Sequence, residues 1–254
     1  MTLIYQSYRT HNVPDWIGRC LDSVKEWTRK NGFEYRFIDD ELFEAAPGWY
    51  REKVENNVQL VSDLARLIFA KRFLQEGYER VIWMDADLLI FDPDNFFPES
   101  TAGVYFCRET WVDADLDGNM IHQKKFNNSI SIFHKGNVFL DFYIDACLKL
   151  VDTRDKIPHV LVGTTFLTAL RKIYPFHEIT AVGIMSPALT HDILTGKTAF
   201  LEKFHEWHAA PVYAANLCGS MQNRTFYGVE INEGAMTAIV KKLLEQKMLV
   251  QPVL

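Results

Sequence analysis

The stretch Val81-Ile82-Trp83-Met84-Asp85-Ala86-Asp87-Leu88-Leu89-Ile90-Phe91 sets two aspartates inside a run of β-favouring apolar residues. Burying carboxylates among such neighbours is costly unless a cation or hydrogen-bond donors compensate. On a strand, residues i and i+2 project to the same face. Asp85 and Asp87 are therefore set to converge on one ligand, most simply a divalent cation. Mg2+ and Mn2+ take carboxylate oxygens and share phosphate oxygens with a substrate. Val81 and Ile82 place the pair at the C-terminal end of a buried strand, where open α/β sheets bind ligands. The competing reading is that the strand ends at Asp85 and both acids are solvated.

The elements that must position this pair follow from periodicity. Leu3–Tyr8 reads as a first strand. Ile17, Leu21, Val24 and Trp27 recur at helical spacing, Gly32 is a stop signal, and Phe33–Asp39 alternates as a second strand. The helix over 56–77 is the clearest of the chain, with Val61, Leu64, Ala65, Ile68 and Phe69 on one face, and residues 78–91 return as a strand. Gly103–Cys107 and Ser129–Phe133 read as further strands. Residues 137–151, 164–173 and 235–249 read as helices. Strand, helix, strand in this order predicts an α/β fold with a mainly parallel central sheet flanked by helices. No repeat or linker divides the chain, so one domain over 1–254 is expected, with a Rossmann-like nucleotide-binding half (1–110) and an acceptor-side half (111–254).

Composition narrows the function. The formal net charge of −6 lacks the basic excess of a general nucleic-acid binder, although a local basic pocket for a phosphate remains compatible with it. Cys20, Cys107, Cys147 and Cys218 form no CxxC pair and read as reduced, mostly buried thiols of a cytoplasmic protein. No basic leader precedes an apolar core, and no apolar run approaches the roughly 20 residues that span a bilayer. Lys241, Lys242 and Lys247 beside Leu243, Leu244 and Met248 could meet a membrane surface peripherally; a terminal helix packed on the core is the simpler reading.

Two patterns fail on inspection. Asp113, Asp115, Asp117 and Gly118 imitate the front of a calcium loop, but its twelfth position is Lys124 where a bidentate Glu is required, so a solvated acidic loop is expected. Phe204–His208 spaces its histidines at i, i+3, which does not make the i, i+4 zinc pattern.

Around the aspartate pair the chain resembles glycosyltransferases of the GT-A fold, above all family 32, with family 8 and the clostridial glucosylating toxins as relatives. Ser62-Asp63-Leu64-Ala65-Arg66 matches their SDxxR helix, Gln75–Tyr78 their turn, and Asp85-Ala86-Asp87 their DxD. The opening Ile4–Trp16 and the segment Glu34–Glu41 are similar to the family 32 start, and Phe126–Phe133 to a family 8 segment. The likeness covers most of the first 135 residues, in order.

The resemblance implies a metal-dependent, retaining transfer of a hexose from a nucleotide-diphosphate donor to a glycan, glycolipid or protein acceptor. A UDP-sugar is the default and GDP-mannose the rival. It implies that Asp85 and Asp87 hold Mn2+ or Mg2+ on the donor diphosphate. It places Asp63 and Arg66 on the sugar and the leaving diphosphate, Gln6, Ser7 and Tyr8 at the nucleobase, and Asn127 and Asn128 in the donor set. Arg suits the phosphate because its planar fork donates two parallel hydrogen bonds. Val162–Leu167 is similar to a family 32 segment and carries threonines where a carboxylate nucleophile would stand, so front-side displacement is expected. Asn216-Leu217-Cys218-Gly219 is similar to the family 8 segment that supplies a metal-binding His. Asn216 replaces that His, and His191, His205 and His208 are rivals for the third ligand. A haloacid-dehalogenase-type phosphatase and a non-catalytic carbohydrate-binding scaffold are the alternatives. The first wants its DxD nearer the N-terminus, and intact Asp63, Arg66, Asp85 and Asp87 argue against the second.

Overall fold

The computed structural model describes residues 1–98, 101–247 and 249. In chain order the elements are β1 (Thr2–Ser7), α1 (Asp15–Lys30), β2 (Glu34–Ile38), α2 (Gly48–Lys53), α3 (Val58–Gln75), β3 (Arg80–Met84), β4 (Leu88–Ile90), β5 (Val104–Ala114), β6 (Met120–His134), α4 (Phe139–Asp152), α5 (Phe166–Leu170), β7 (His177–Ile179), β8 (Val182–Ile184), α6 (Pro187–Thr195), α7 (Ala199–His208), β9 (Ala214–Asn216), β10 (Thr225–Phe226), β11 (Val229–Glu230) and α8 (Glu233–Gln246). The main sheet has the order β2-β1-β3-β6-β5-β7. Its β2-β1, β1-β3 and β5-β7 pairs are parallel, and β6 alone runs against the others. This is the mainly parallel α/β sheet that the sequence pattern predicts.

The period of two along β3 divides the core. Val81 and Trp83 point to the face covered by α3 and α4, while Ile82 and Met84 point to the α1 face with Val24 and Trp27. Asn57 caps α3 by accepting from the Leu60 N–H at 3.2 Å. This helix buries more than the single face read from its periodicity: Leu60, Asp63, Arg66, Leu67, Ala70 and Phe73 join Val61, Leu64, Ala65 and Phe69, and Ile68 is only half-buried. It lies between the sheet and α4, so almost every side meets protein.

Several expected boundaries shift. The strand expected over 78–91 stops at Met84, and its second half, β4, joins a separate sheet of order β4-β9-β8. The carboxylates at 85–87 interrupt it, because a loop satisfies them better than a ladder. The short strands expected at 103–107 and 129–133 are the inner ends of a long β5–β6 hairpin. Only 115–119 of the acidic segment is a turn, in which Asp115 Oδ1 accepts from the Asp117 and Asn119 N–H groups. The helix expected over 164–173 shortens to α5 after a π turn at Leu161–Thr165. At the C-terminus, α8 packs Met236, Ile239, Val240 and Leu243 into a core shared with α1, α6 and α7, and Met248 lies outside the described residues. Cys20, Cys107 and Cys147 are buried and Cys218 half-buried, all as free thiols. Among the described residues no helix is long and apolar enough to cross a membrane.

Candidate active site

The C-terminal edge of β3 gathers residues from four elements. At Phe106 and Cys107 the β5–β6 register jumps from Ser131 to Asn127, so Asn128–Ile130 bow away from β5. These residues stay on β3 instead, where Ser129 O accepts from the Asp85 N–H at 2.8 Å. Bulges of this kind re-aim side chains beside functional sites. Here Asn128 turns to α3 and donates from Nδ2 to Asp63 Oδ1 at 2.9 Å.

Arg66 is the hub. Its Nη1 donates to Asp85 Oδ1 at 2.9 Å and to Asn128 O at 3.1 Å, and its Nη2 lies 3.1 Å from Asp63 Oδ1. Asp63 and Arg66 are three residues apart on α3, which places them on one helix face. Asp63 Oδ2 is buried with no hydrogen-bond partner among the described residues. It faces Gly163, where a Cβ would stand 2.8 Å from Oδ2 and 3.3 Å from Asn128 Oδ1. A side chain at 163 would fill that space.

The aspartates at 85 and 87 follow the strand instead of lying on it. Asp85 Oδ2 accepts from Asn216 Nδ2 at 3.3 Å, and Asp87 Oδ2 accepts from the Gly219 N–H at 2.7 Å. Asn216 therefore reaches Asp85 through its amide nitrogen, while its oxygen accepts from the Cys218 N–H at 2.9 Å. Burial raises the carboxyl pKa of Asp63 and of Asp85. Burial, and then the neighbouring charge of Asp85, push Asp87 up to about 6.

Asp63, Asp85 and Asp87 bring three negative charges to one partly sealed site, and Arg66 returns one. The remaining two match a divalent cation, and carboxylates and an amide are the hard oxygen ligands that Mg2+ and Mn2+ select. Among the described residues no group of three or more His, Cys, Asp or Glu could hold a metal. Any set built here uses the two aspartates with an amide or substrate oxygens.

The other expected donor residues lie around the same edge. Gln6 is wholly buried; its Nε2 donates to Asp85 O at 3.1 Å and its Oε1 accepts from the Tyr35 hydroxyl at 3.0 Å. Ser7 Oγ donates to Asp39 O at 3.3 Å. Tyr8 lines a cleft of about 590 Å³ with Arg9, Asn12, Gly219, Gln222 and Glu233. Since the Gly219 N–H holds Asp87, the cleft adjoins the acidic pair.

No family model matches the chain, and no curated protein matches it. Solved structures do. A glycosyltransferase involved in the glycosylation of the major capsid of PBCV-1 is 11% identical over 95% of this chain and 100% of its own, with a TM-score of 0.50. The fold is that of the GT-A glycosyltransferases. Galactosyltransferase LgtC, in complex with donor and acceptor sugar analogs, is 12% identical over 100% of this chain and 98% of its own, with a TM-score of 0.46. Mouse xyloside xylosyltransferase 1 is 14% identical over 87% of this chain and 99% of its own, with a TM-score of 0.45. At these identities the likeness is one of fold.

The rival histidines are engaged or turned outward. His208 Nδ1 shares a hydrogen bond with Thr110 Oγ1 at 3.0 Å and its Nε2 donates to Thr180 O at 2.7 Å. His191 Nδ1 lies 3.2 Å from Asp192 Oδ1, and His205 is exposed on α7. Sequence reasoning passed over Glu109, a carboxylate on β5 that is only 7% exposed. Asn127 Nδ2 donates to its Oε2 at 3.0 Å, and Asn127 Oδ1 accepts from both the Ser129 N–H and Oγ. One side chain, Asn127, thereby links Glu109 to Ser129, whose carbonyl holds Asp85. Burial first, and then the charges of Asp87, Glu109 and Asp85, raise the Cys218 thiol pKa. Nothing in the one-dimensional pattern marks Glu109, because its burial depends on the hairpin register.

Proposed function

We propose that the protein is a metal-dependent, retaining glycosyltransferase. It moves a hexose from a nucleotide-diphosphate donor, a UDP-sugar by preference over GDP-mannose, to a hydroxyl of a glycan, glycolipid or protein in the cytoplasm. One observation carries the reading: a partly sealed site with two negative charges in excess stands at the C-terminal edge of a GT-A-type sheet, beside a cleft sized for a nucleotide.

Asp85 and Asp87 are the residues that would hold Mn2+ or Mg2+, with Asn216 joining them once its amide turns its oxygen inward. Bound there, the cation would neutralise charge growing on the leaving diphosphate. Arg66 supplies fixed positive charge to the same developing anion. Asp63 Oδ2, unpartnered among the described residues, accepts a hydrogen bond from a sugar hydroxyl that enters the space Gly163 leaves. Asn128 orients Asp63 by holding its other oxygen. Tyr8 lines the wall of the nucleobase cleft, while Gln6 fixes the backbone of Asp85 and Ser7 that of Asp39. The reaction on this reading is a front-side displacement.

A thermal-shift screen of UDP-, GDP- and CMP-sugars with and without Mn2+ tests the reading. Stabilisation by one nucleotide class that depends on Mn2+ is expected. No stabilisation by any of them would favour the non-catalytic scaffold.

A further inference from the structure

We propose that Trp83 is a positioning residue of the donor site, which holds the Asp85 carboxylate so that Oδ2 alone is left to meet the cation. The inference rests on the glycosyltransferase reading above and adds to it a residue that no motif contains.

Trp83 is buried on β3, two residues before Asp85, and its register partner on β1 is Tyr5. The indole Nε1 donates to Asp85 Oδ1 at 2.7 Å. The same ring lies under the Arg66 guanidinium, whose Cζ is 4.7 Å from the ring centroid. Tyr5 stands edge-on to the indole at 5.2 Å, and its hydroxyl donates to Arg66 O at 2.7 Å. Two aromatic residues side by side in the sheet thus hold Arg66 by its backbone and by its head.

The consequence for Asp85 is an asymmetric carboxylate. Oδ1 accepts from both Trp83 Nε1 and Arg66 Nη1, and both bonds are charge-assisted. Among the described residues Oδ2 has only the long 3.3 Å contact from Asn216, whose amide an arriving cation can displace. A residue that merely filled the core would not need this geometry. The fold tolerates a buried indole N–H with no partner among the described residues, as Trp16 Nε1 shows. Trp27 spends its own on a backbone carbonyl, Phe96 O, at 2.8 Å. Among these buried indoles, Trp83 is the one spent on a side chain of the site. Groups that hold a ligating carboxylate set its orientation, and losing one typically weakens metal binding about 10–100-fold.

The experiment measures Mn2+ binding in the presence of UDP by calorimetry and by electron paramagnetic resonance, for the wild type and Trp83→Phe. Thermal midpoints in EDTA report on the fold. The expected result is Mn2+ binding weakened about 10–100-fold in Trp83→Phe, with the metal-free midpoint lowered by only a few degrees. Unchanged Mn2+ affinity in a folded Trp83→Phe protein would overturn the positioning role and leave the donor site standing. A wild type that binds no Mn2+ would overturn both. Should Trp83→Phe not fold, the indole N–H signals of the six tryptophans in 15N-labelled wild type decide the matter. The one signal that Asp85→Asn displaces is expected to be the one that Mg2+ displaces. No response of any indole signal to Mg2+ would refute the proposal.

Discussion

Arg66 on α3 donates to Asp85 Oδ1 at 2.9 Å, although the two residues are 19 apart in sequence and lie on different elements. Their side chains are 7% and 24% exposed. With the guanidinium buried and the carboxylate only partly exposed, the pair is costly to break. It joins the helix that carries Asp63 to the strand end that carries the acidic pair.

Arg66→Ala removes the positive charge and leaves Asp63 and Asp85 facing each other. Breaking one side of a buried pair costs about 3–5 kcal/mol, and in a domain of this size that lowers the thermal midpoint by roughly 10 °C. Arg66→Lys keeps the charge but cannot serve Asp85 Oδ1, Asn128 O and, at 3.2 Å, Ser62 Oγ from one planar fork, so it recovers stability more than transfer. Calorimetric scans and transfer assays on the two variants check this, and equal midpoints for wild type and Arg66→Ala would contradict it.

Asp87→Asn has opposite effects on stability and function. The residue is held by the Gly219 N–H but faces the charge of Asp85. Removing its charge leaves the metal-free protein at least as stable as wild type. Mn2+-dependent stabilisation by the nucleotide is lost, and transfer falls by about 10²–10³-fold or more. Midpoints in EDTA and in Mn2+ with UDP show both effects, and undiminished transfer would sink the mechanism.

Gly163→Ala separates the sugar from the nucleotide. A Cβ at 163 would stand 2.8 Å from Asp63 Oδ2, so Asp63 must move. The Tyr8 cleft, described by other residues, keeps its shape. UDP binding is expected to be unchanged while transfer falls about 10–100-fold. A matching loss of UDP affinity would show that Gly163 supports the nucleotide instead.

His208 makes stability depend on pH. Burial lowers its pKa below the ordinary 6.5, with the Arg108 charge adding to the effect against the opposing Thr180 hydrogen bond. The unfolded chain therefore takes up a proton near pH 6.5 that the folded chain resists. Stability falls as pH drops from 6.5 toward the lowered value, and is flat for this group above 7. His208→Gln keeps a donor for Thr180 O and should lose part of that slope, read as the difference in midpoint between pH 7.5 and 5.5. An identical slope in the variant would assign the pH dependence to other groups.

The first half of the chain was readable because its signals are long and periodic. Ile17, Leu21, Val24 and Trp27 repeat over a full helix, and α3 and β3 carry their motif between punctuating glycines and prolines. The second half hides its sheet. β7, β8 and β9 have three residues each, too few for a period to show, and α6 and α7 went unread between them. At the site, residue types were visible and partners were not. Asp85 and Asp87 announced themselves by their apolar surroundings. Convergence through a pleat was the wrong device, however: the turn after Met84 and the Gly219 N–H place them. Trp83 looked like one more apolar residue of β3, and only the Arg66 stack and the Asp85 hydrogen bond distinguish it.

Leu88 pairs with Asn216 in the small sheet, one residue after Asp87 and three before Gly219. Because strand pairing has a period of two, a single residue inserted between Asp87 and Leu88, or between Asn216 and Gly219, breaks the match of the two loops that hold Asp87. An insertion at the Asp115–Asn119 hairpin tip leaves that join intact. Length variation among descendants of this chain should therefore collect at the hairpin tip and avoid both short spacers, so that loop length as well as residue identity is under selection at this edge.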